Sequence, residues 1–171
     1  MDPLAEKILE IKKKKETEER KRLEEIEKVQ KRKKLILDNR ADEFLKMVQY
    51  LIERANRINK DLNAEELKYT QGERLLKIDY GNLYITFNFD YIYKNEPEGT
   101  QIIVTVAKKT GIEEALSSKI EEYYWIPRVP ESQITWTLCN NYHMEGEVKD
   151  VSIIQAANHS LEKFILKQLE Q

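Results

Sequence analysis

The sequence predicts an α+β protein with a long N-terminal helix, an antiparallel meander of about four to five strands with helices on one face, and a C-terminal helix. Gly and Pro are absent from Leu4 through Gln71, and apolar residues recur at helical spacing from Leu37 onward. From Leu76 the apolar residues alternate at every second position, which is typical of strands. The stretch 153–165 then returns to helical spacing.

Residues 1–40 are predicted to form a charged helical arm, and residues 41–171 a compact α+β head. The arm has 14 Lys and Arg against 10 Asp and Glu, a net charge of +4, whereas the head has 15 against 21, a net of −6. No apolar residue lies between Lys12 and Arg22, so this stretch cannot bury a face against a core. Acidic residues four positions before basic ones support an isolated helix or a weak coiled coil; these pairs are Glu10 with Lys14, Glu16 with Arg20, Glu18 with Arg22, Glu24 with Lys28, and Glu27 with Lys31.

The most regular helical pattern is an apolar stripe formed by Leu37, Ala41, Phe44, Val48, Leu51, Ala55, Ile58 and Leu62. Neighbouring Leu45, Met47 and Ile52 widen this stripe beyond a coiled-coil seam, so we expect the helix to pack on the sheet. Packing of this kind would bury a common set of side chains: Phe44, Leu45, Val48, Leu51, Ile52 and Ala55. Dimerisation through the same stripe is the alternative, and it leaves a homo-oligomer open.

Asn63 and Glu66 fit a capping box, which predicts a short helical turn before Tyr69. Two alternating runs then flank a tight turn at Gly81 and Asn82, and they predict a β-hairpin. One run places Leu76, Ile78 and Tyr80 on a shared face, and the other Leu83, Ile85, Phe87, Phe89, Tyr91 and Tyr93. A second turn at 95–99 leads into a third strand at 101–107, which extends the meander.

Thr110 and Glu113 fit another capping box, and the face formed by Ile112, Leu116, Ile120 and Tyr123 predicts a short helix through about Glu122. Pro127 and Pro130 then predict an extended segment, because proline disrupts both a helix interior and a central sheet ladder. Trp136 belongs to a further strand and is expected to face the core. Asp150 or Ser152 is expected to cap a final helix with a buried face of Ile154, Ala157, Leu161 and Ile165, flanked by Ile153 and Phe164.

Two basic clusters in the arm are the candidate contact residues for a partner or a nucleic acid: Lys12, Lys13, Lys14 and Lys15, then Lys31, Arg32, Lys33 and Lys34. Such clusters can neutralise phosphates without sequence specificity. The acidic residues between the clusters favour a solvated helix instead. Tyrosine-rich strands could stack bases, but acidic residues in and beside them oppose contact with a phosphate backbone: Asp79, Asp90, Glu96 and Glu98.

No residue pattern indicates a reaction, a cofactor or a metal, so an enzyme is the least favoured class. Cys139 and His143 are four positions apart near a strand end, and Cys139 is expected to be a core residue. His159 lacks the spacing to a second histidine that zinc sites show. Glu113, Glu114, Glu121 and Glu122 form two acidic pairs that are expected to be solvated rather than catalytic. The five glycines do not form a phosphate-binding loop.

These observations favour a non-enzymatic protein-protein interaction module, either an adaptor or a structural subunit of a larger assembly. The single cysteine and the absence of a long apolar run indicate an intracellular, most simply cytoplasmic, protein without a membrane segment. The predicted order of elements over roughly residues 41–171 resembles the secretion-chaperone type of fold, which implies a small chaperone that holds an extended client. An RNA-associated protein that uses the basic arm is a further alternative.

Overall fold

The computed structural model describes residues 1–109, 118–140 and 148–171. These ranges form two helices and six strands, in an order that confirms the α+β class. The elements are α1 (Pro3–Leu62), β1 (Leu67–Gln71), β2 (Leu75–Tyr80), β3 (Leu83–Asp90), β4 (Gln101–Lys108), β5 (Ser118–Arg128), β6 (Thr135–Cys139) and α2 (Ile153–Leu169).

The six strands form one antiparallel meander in which each strand pairs with the next along the chain. In each strand, every second side chain lies on the face of the sheet that the helices cover. Phe87, Val104 and Trp125 lie on this face and are completely buried. The second half of α1 and the whole of α2 pack on this face and against each other. The core therefore lies between the helices and one side of the sheet, as expected.

Helix α1 runs for 60 residues without a break. Asp2 begins it by accepting a hydrogen bond from the backbone N–H of Leu4 (2.7 Å), and Asn63 ends it in the left-handed conformation (φ 51°). Its buried residues are Arg40, Phe44, Met47, Val48, Leu51 and Ala55. Packing on the sheet is confirmed, but the prediction for Leu45 is wrong because its side chain is 45% exposed. The buried face is rotated towards Met47, since α2 also packs against α1.

The predicted helical turn before Tyr69 is wrong, because Leu67–Gln71 is the edge strand β1. Asn63 is the C-cap of α1 rather than the N-cap of a new turn. The side chain of Asn59 accepts a hydrogen bond from the N–H of Leu67 and donates one to its carbonyl, each at 2.8 Å. This amide occupies the two backbone groups that a further strand would use at this position.

The predicted helix through Glu122 is also wrong in its second half, because β5 begins at Ser118. Residues 110–117, which include Thr110, Ile112, Glu113, Glu114 and Leu116, lie outside the described ranges. Pro127 lies within β5 and pairs with Trp136 of β6. A proline is tolerated here because the pairing of β5 with β4 already ends at Trp125.

Strand β6 and helix α2 follow the predicted positions closely. Trp136 is completely buried, which confirms that it faces the core. Ser152 and Gln155 form a reciprocal capping box at the start of α2, with backbone-to-side-chain distances of 2.9 and 3.1 Å. The buried face of α2 is shifted slightly from the predicted one, because Ala156 and Ser160 are buried while Ile154 and Ile165 are only half-buried.

Candidate partner-binding site

The arm carries the first basic cluster on a helix that extends away from the head. Lys12, Lys13, Lys14 and Lys15 are all exposed, as are almost all residues through Lys34. Four consecutive residues span more than one helical turn, so these lysines point in different directions around the axis. Their positive charges are therefore distributed around the helix and do not form a single basic face.

Ion pairs along the arm differ in part from the expected ones. Glu27 pairs with Lys31 as predicted, at 3.3 Å. Arg20 pairs instead with Glu24 at 3.9 Å, and Lys28 with Glu25 at 3.4 Å. Each exposed side chain on a helix has neighbours three and four positions away on both sides, so the acid-first spacing does not determine the partner.

The second basic cluster lies where α1 leaves the head, and the structure divides it between two sides of the helix. Lys31 and Arg32 line a groove beside residues 129–132. Lys33 and Lys34 face the acidic turn at 95–98. On that second side, the Lys33 ammonium lies 2.7 Å from the Glu98 carboxylate. The hydrogen bond to Glu98 raises the pKa of Lys33, and the hydrogen bond from Lys33 lowers the pKa of Glu98.

Buried Arg40 fixes the same turn to α1. Its guanidinium group donates hydrogen bonds to the carbonyl oxygens of Tyr93 (3.1 Å), Lys94 (2.8 Å) and Glu96 (2.9 Å) and to Oγ1 of Thr100 (2.8 Å). Within the described ranges, no carboxylate pairs with this cation. Four neutral oxygens therefore compensate its burial, and the side chain is only 5% exposed.

Tyr91 links the long helix to the β1–β2 turn through two arginines. The guanidinium carbon of Arg40 lies 4.3 Å from the centroid of the Tyr91 ring, and that of Arg74 lies 4.4 Å from it. Arg74 also donates a hydrogen bond to the Tyr91 hydroxyl at 2.5 Å. Both contacts place a cation against the electron-rich face of the ring. At the point where α1 leaves the head, Arg40 thus contacts both the backbone carbonyls of the acidic turn and the ring of Tyr91.

A second polar contact, between α1 and α2, fixes the rotation of the long helix. The Tyr50 hydroxyl and Arg54 both donate hydrogen bonds to Oδ1 of Asn158. Arg54 also pairs with Glu162 at 2.9 Å. Together with the Arg40 contacts, these bonds hold the head portion of α1 at points more than two helical turns apart.

On the side away from the acidic turn, the helix and residues 129–132 enclose a groove of about 480 Å³. We call this the arm-base groove, and its lining residues are Lys28, Lys31, Arg32, Leu35, Val129, Glu131 and Ser132. It continues into a depression of about 440 Å³ that reaches the first turn of α2 and shares Leu35 and Ser132 with the groove. The combined surface follows one side of α1 from Lys28 to Lys46.

The arm-base groove has both charged and apolar lining residues. Lys28, Lys31 and Arg32 lie on α1 and form the arm wall, half-buried Leu35 follows them on the same helix, and buried Val129 lies on the head side. Arg32 has no ion-pair partner in the described part of the chain. The partners of Lys28 and Lys31 are exposed arm residues, and exposed pairs of this kind are weak. The arm wall of the groove is therefore available to an anionic group.

The residues considered for catalysis or metal binding do not form a site in the described ranges. Cys139 is 3% exposed, and burial raises the pKa of its thiol, which fits the expected core role. His143 lies outside the described residues. His159 packs edge-on against Trp125, with ring centroids 5.8 Å apart. No group of His, Cys, Asp and Glu suited to a metal ion occurs in ranges 1–109, 118–140 and 148–171.

Glu121 and Glu122, the described members of the two acidic pairs, lie in β5 rather than on a helix. Burial opposes ionisation of Glu121, but hydrogen bonds from Lys163 and Lys167 outweigh it, and the pKa of Glu121 is lowered. Hydrogen bonds from Lys119 and Tyr124 likewise lower the pKa of Glu122. Both carboxylates are therefore held in the charged form by specific partners, and neither has the raised pKa that a general acid needs.

Sequence reasoning missed the Arg40 contacts and the arm-base groove. An arginine on the apolar face of α1 was a detectable signal for the former, because it occupies a position that helical spacing assigns to the core. The groove had no local signal, since residues 28–35 and 129–132 are brought together only by the tertiary fold.

Comparison with known proteins identified no matching family model, no curated relative and no similar solved structure. In the described ranges, neither helix contains an apolar stretch of the kind needed to cross a bilayer.

Proposed function

We propose that the protein is a non-enzymatic interaction module in which the head holds a helical arm in a defined direction, and the arm and its base engage a partner protein. The observation that carries this proposal is the continuity of α1: its C-terminal half is part of the head core, and its N-terminal half is exposed to solvent. Because one helix belongs to both parts, a partner bound to the arm would be held in a set position relative to the head.

The length of the exposed portion supports a spacing role. Residues 3–34 would extend about 50 Å at 1.5 Å per residue. Charged pairs such as Glu27 with Lys31 add a small stabilisation to the helix where it has no core. The Arg40 and Asn158 contacts fix the part of α1 that lies on the head. This combination suits an adaptor or a structural subunit.

Affinity purification from the native source tests the proposal directly. The bait is the full chain with a tag after α2, treated with nuclease before capture. We expect one protein to be recovered in a stoichiometric amount. Replacing Lys12, Lys13, Lys14 and Lys15 by Gln should reduce its recovery if the tip of the arm contributes, whereas the matched Lys→Arg variant should restore it because the charge is retained.

The RNA-associated alternative predicts the opposite result. Recovery would then disappear after nuclease treatment, and purified protein would bind single-stranded RNA with an affinity that falls steeply with salt. Loss of all stoichiometric protein partners under nuclease treatment would overturn the adaptor proposal. The chaperone alternative stays a prediction: the element order that suggested it included a helix through Glu122, of which β5 occupies the second half and residues 110–117 lie outside the described ranges.

A further inference from the structure

We propose that the arm-base groove binds an extended segment of the partner protein in which acidic and apolar side chains alternate. This inference deepens the proposed function, because it names the partner chemistry recognised at one surface of the same module. It commits to a protein segment as the occupant, and the argument depends on the charges and the apolar residues that line the groove.

The acidic character follows from the arm wall. Lys28, Lys31 and Arg32 lie on successive turns of α1 along one side of the groove, and Glu131 is the only acidic side chain among the described residues that line it. Arg32 has the planar, bidentate geometry that suits a carboxylate, and it has no ion-pair partner among the described residues. An occupant with two or more carboxylates on one side would complement this wall.

The apolar character follows from the opposite part of the groove. Val129 lies across the groove from α1, and the continuation towards α2 adds Ile134 and Ile154, which are both half-buried. A strand-like segment projects alternate side chains in opposite directions. One set of side chains could therefore meet the cations while the other covers these aliphatic residues.

The length of the surface fits such a segment. Lys28 and Lys46 are separated by about 27 Å along the helix axis at 1.5 Å per residue. An extended chain covers that distance in about eight residues. The half-buried aliphatic residues Ile134 and Ile154 favour a protein segment, because a nucleic-acid backbone has no aliphatic side chain that could cover them.

The division of the second basic cluster supplies a matched control. Lys31 and Arg32 face the groove, whereas Lys33 and Lys34 face the acidic turn on the other side of the same helical turn. The double variants Lys31→Gln with Arg32→Gln and Lys33→Gln with Lys34→Gln remove the same charge at the same distance from the head. Only the first pair should affect binding in the groove.

Fluorescence anisotropy with a labelled peptide of about eight residues that alternates Glu and Leu tests the inference on the full chain. We expect saturable binding that the groove variant weakens at least about tenfold and the control variant less than about twofold. A peptide with Ser in place of Leu should bind more weakly, and one with Lys in place of Glu should not bind. Circular dichroism verifies that both variants remain folded.

Three results would overturn the inference: no binding of the Glu-Leu peptide, equal weakening by both double variants, or equal affinity for the Ser-containing peptide. The last two would indicate nonspecific attraction to positive charge. If the peptide fails while a stoichiometric protein partner still copurifies after nuclease treatment, the groove inference is wrong and the adaptor proposal stands. If the peptide binds and no partner copurifies, the adaptor proposal is the one that fails.

Discussion

The indole nitrogen of Trp136 lies 3.2 Å from Oε2 of Glu43 and donates a hydrogen bond from the core to the long helix. Glu43 also pairs with Lys46 at 3.5 Å, so its carboxylate connects a buried strand residue to an exposed lysine. This contact lies on the same side of α1 as the continuation of the arm-base groove. It therefore links the packing of the head to the surface that we assign to a partner.

Truncation of Trp136 should destabilise the head severely. Trp136→Ala should lower the free energy of unfolding by about 3–5 kcal/mol, because it leaves a large cavity between β6 and α1. Trp136→Phe should cost less, since a phenyl ring still fills part of the site, although it loses some buried volume and the hydrogen bond to Glu43. Urea denaturation followed by circular dichroism measures both. Wild-type stability in Trp136→Ala would contradict the core assignment.

Leu51 and Leu45 distinguish packing on the head from dimerisation. Leu51 is completely buried, whereas Leu45 is 45% exposed on the same helix. Leu51→Asp should unfold the head, because it places an unpaired charge among core residues. Leu45→Asp should remain folded and serves as the matched control. Light scattering with circular dichroism provides the measurement, and a folded monomeric Leu51→Asp variant from a dimeric parent would refute the docked helix.

Arg40 should be required for an ordered turn at residues 93–100. Arg40→Met preserves the length of the apolar stem but removes all four hydrogen bonds to Tyr93, Lys94, Glu96 and Thr100. We expect a loss of about 2–4 kcal/mol in the free energy of unfolding, because these acceptors lose a charged donor. Arg32→Met, at an exposed position, should change stability little. Limited proteolysis should show faster cleavage of the turn only in Arg40→Met.

The arm itself should contribute little to the stability of the head. Residues 1–34 are almost all exposed, and the ion pair that joins Lys33 to Glu98 of the head is exposed as well. Deleting them should therefore leave the thermal midpoint nearly unchanged. A calorimetric scan of the truncated chain makes the comparison. Loss of the cooperative transition would show that the arm is part of the folding unit.

Glu121 should make stability depend on pH in the acidic range. Its folded pKa is lowered relative to the ordinary value of 4.5, since its hydrogen bonds from Lys163 and Lys167 outweigh its burial. The contribution is therefore fully present above the unfolded pKa and is lost as pH falls through the folded pKa. Glu121→Gln should be less stable than wild type at pH about 7, and the difference should shrink at pH about 3. A difference that does not vary with pH would exclude this carboxylate as the source.

The spacing of apolar residues was sufficient to predict several helices and strands that bury one side against the core. The hairpin at Gly81, the burial of Trp136 and the C-terminal helix all follow from spacing, because helices and strands bury fixed sets of positions. The predicted helix through Glu122 failed because the spacing of Ile120 and Tyr123 suits a helical face, whereas pairing with β4 makes this segment a strand in which Tyr123 is buried and Ile120 is exposed. The edge strand β1 was missed because Asn63 was assigned to the N-cap of a new helical turn. Asn is also common as the left-handed cap at the end of a helix, which is its role here.

The candidate site was less predictable than the fold. The sequence identifies Lys31 to Lys34 as a basic cluster, but not that the tertiary structure splits it between a groove and an acidic turn. That division depends on contacts between residues about 60 to 100 positions apart in the chain. Local propensity contains no information about such pairings, which arise from the packing of the loops beside the helix.

The side-chain amide of Asn59 has a consequence for behaviour at high concentration. An unpaired strand at the border of a sheet is a template on which other chains can add, and this is a common route to aggregates. Asn59 occupies the outward backbone groups of Leu67, and exposed Lys68 adds charge to the same short strand. At the opposite border, Val151 bonds to Trp136 in both directions and covers part of β6. Both edges of the sheet are thus partly covered, and conversion of Asn59 to Asp would remove the donor that bonds to the Leu67 carbonyl.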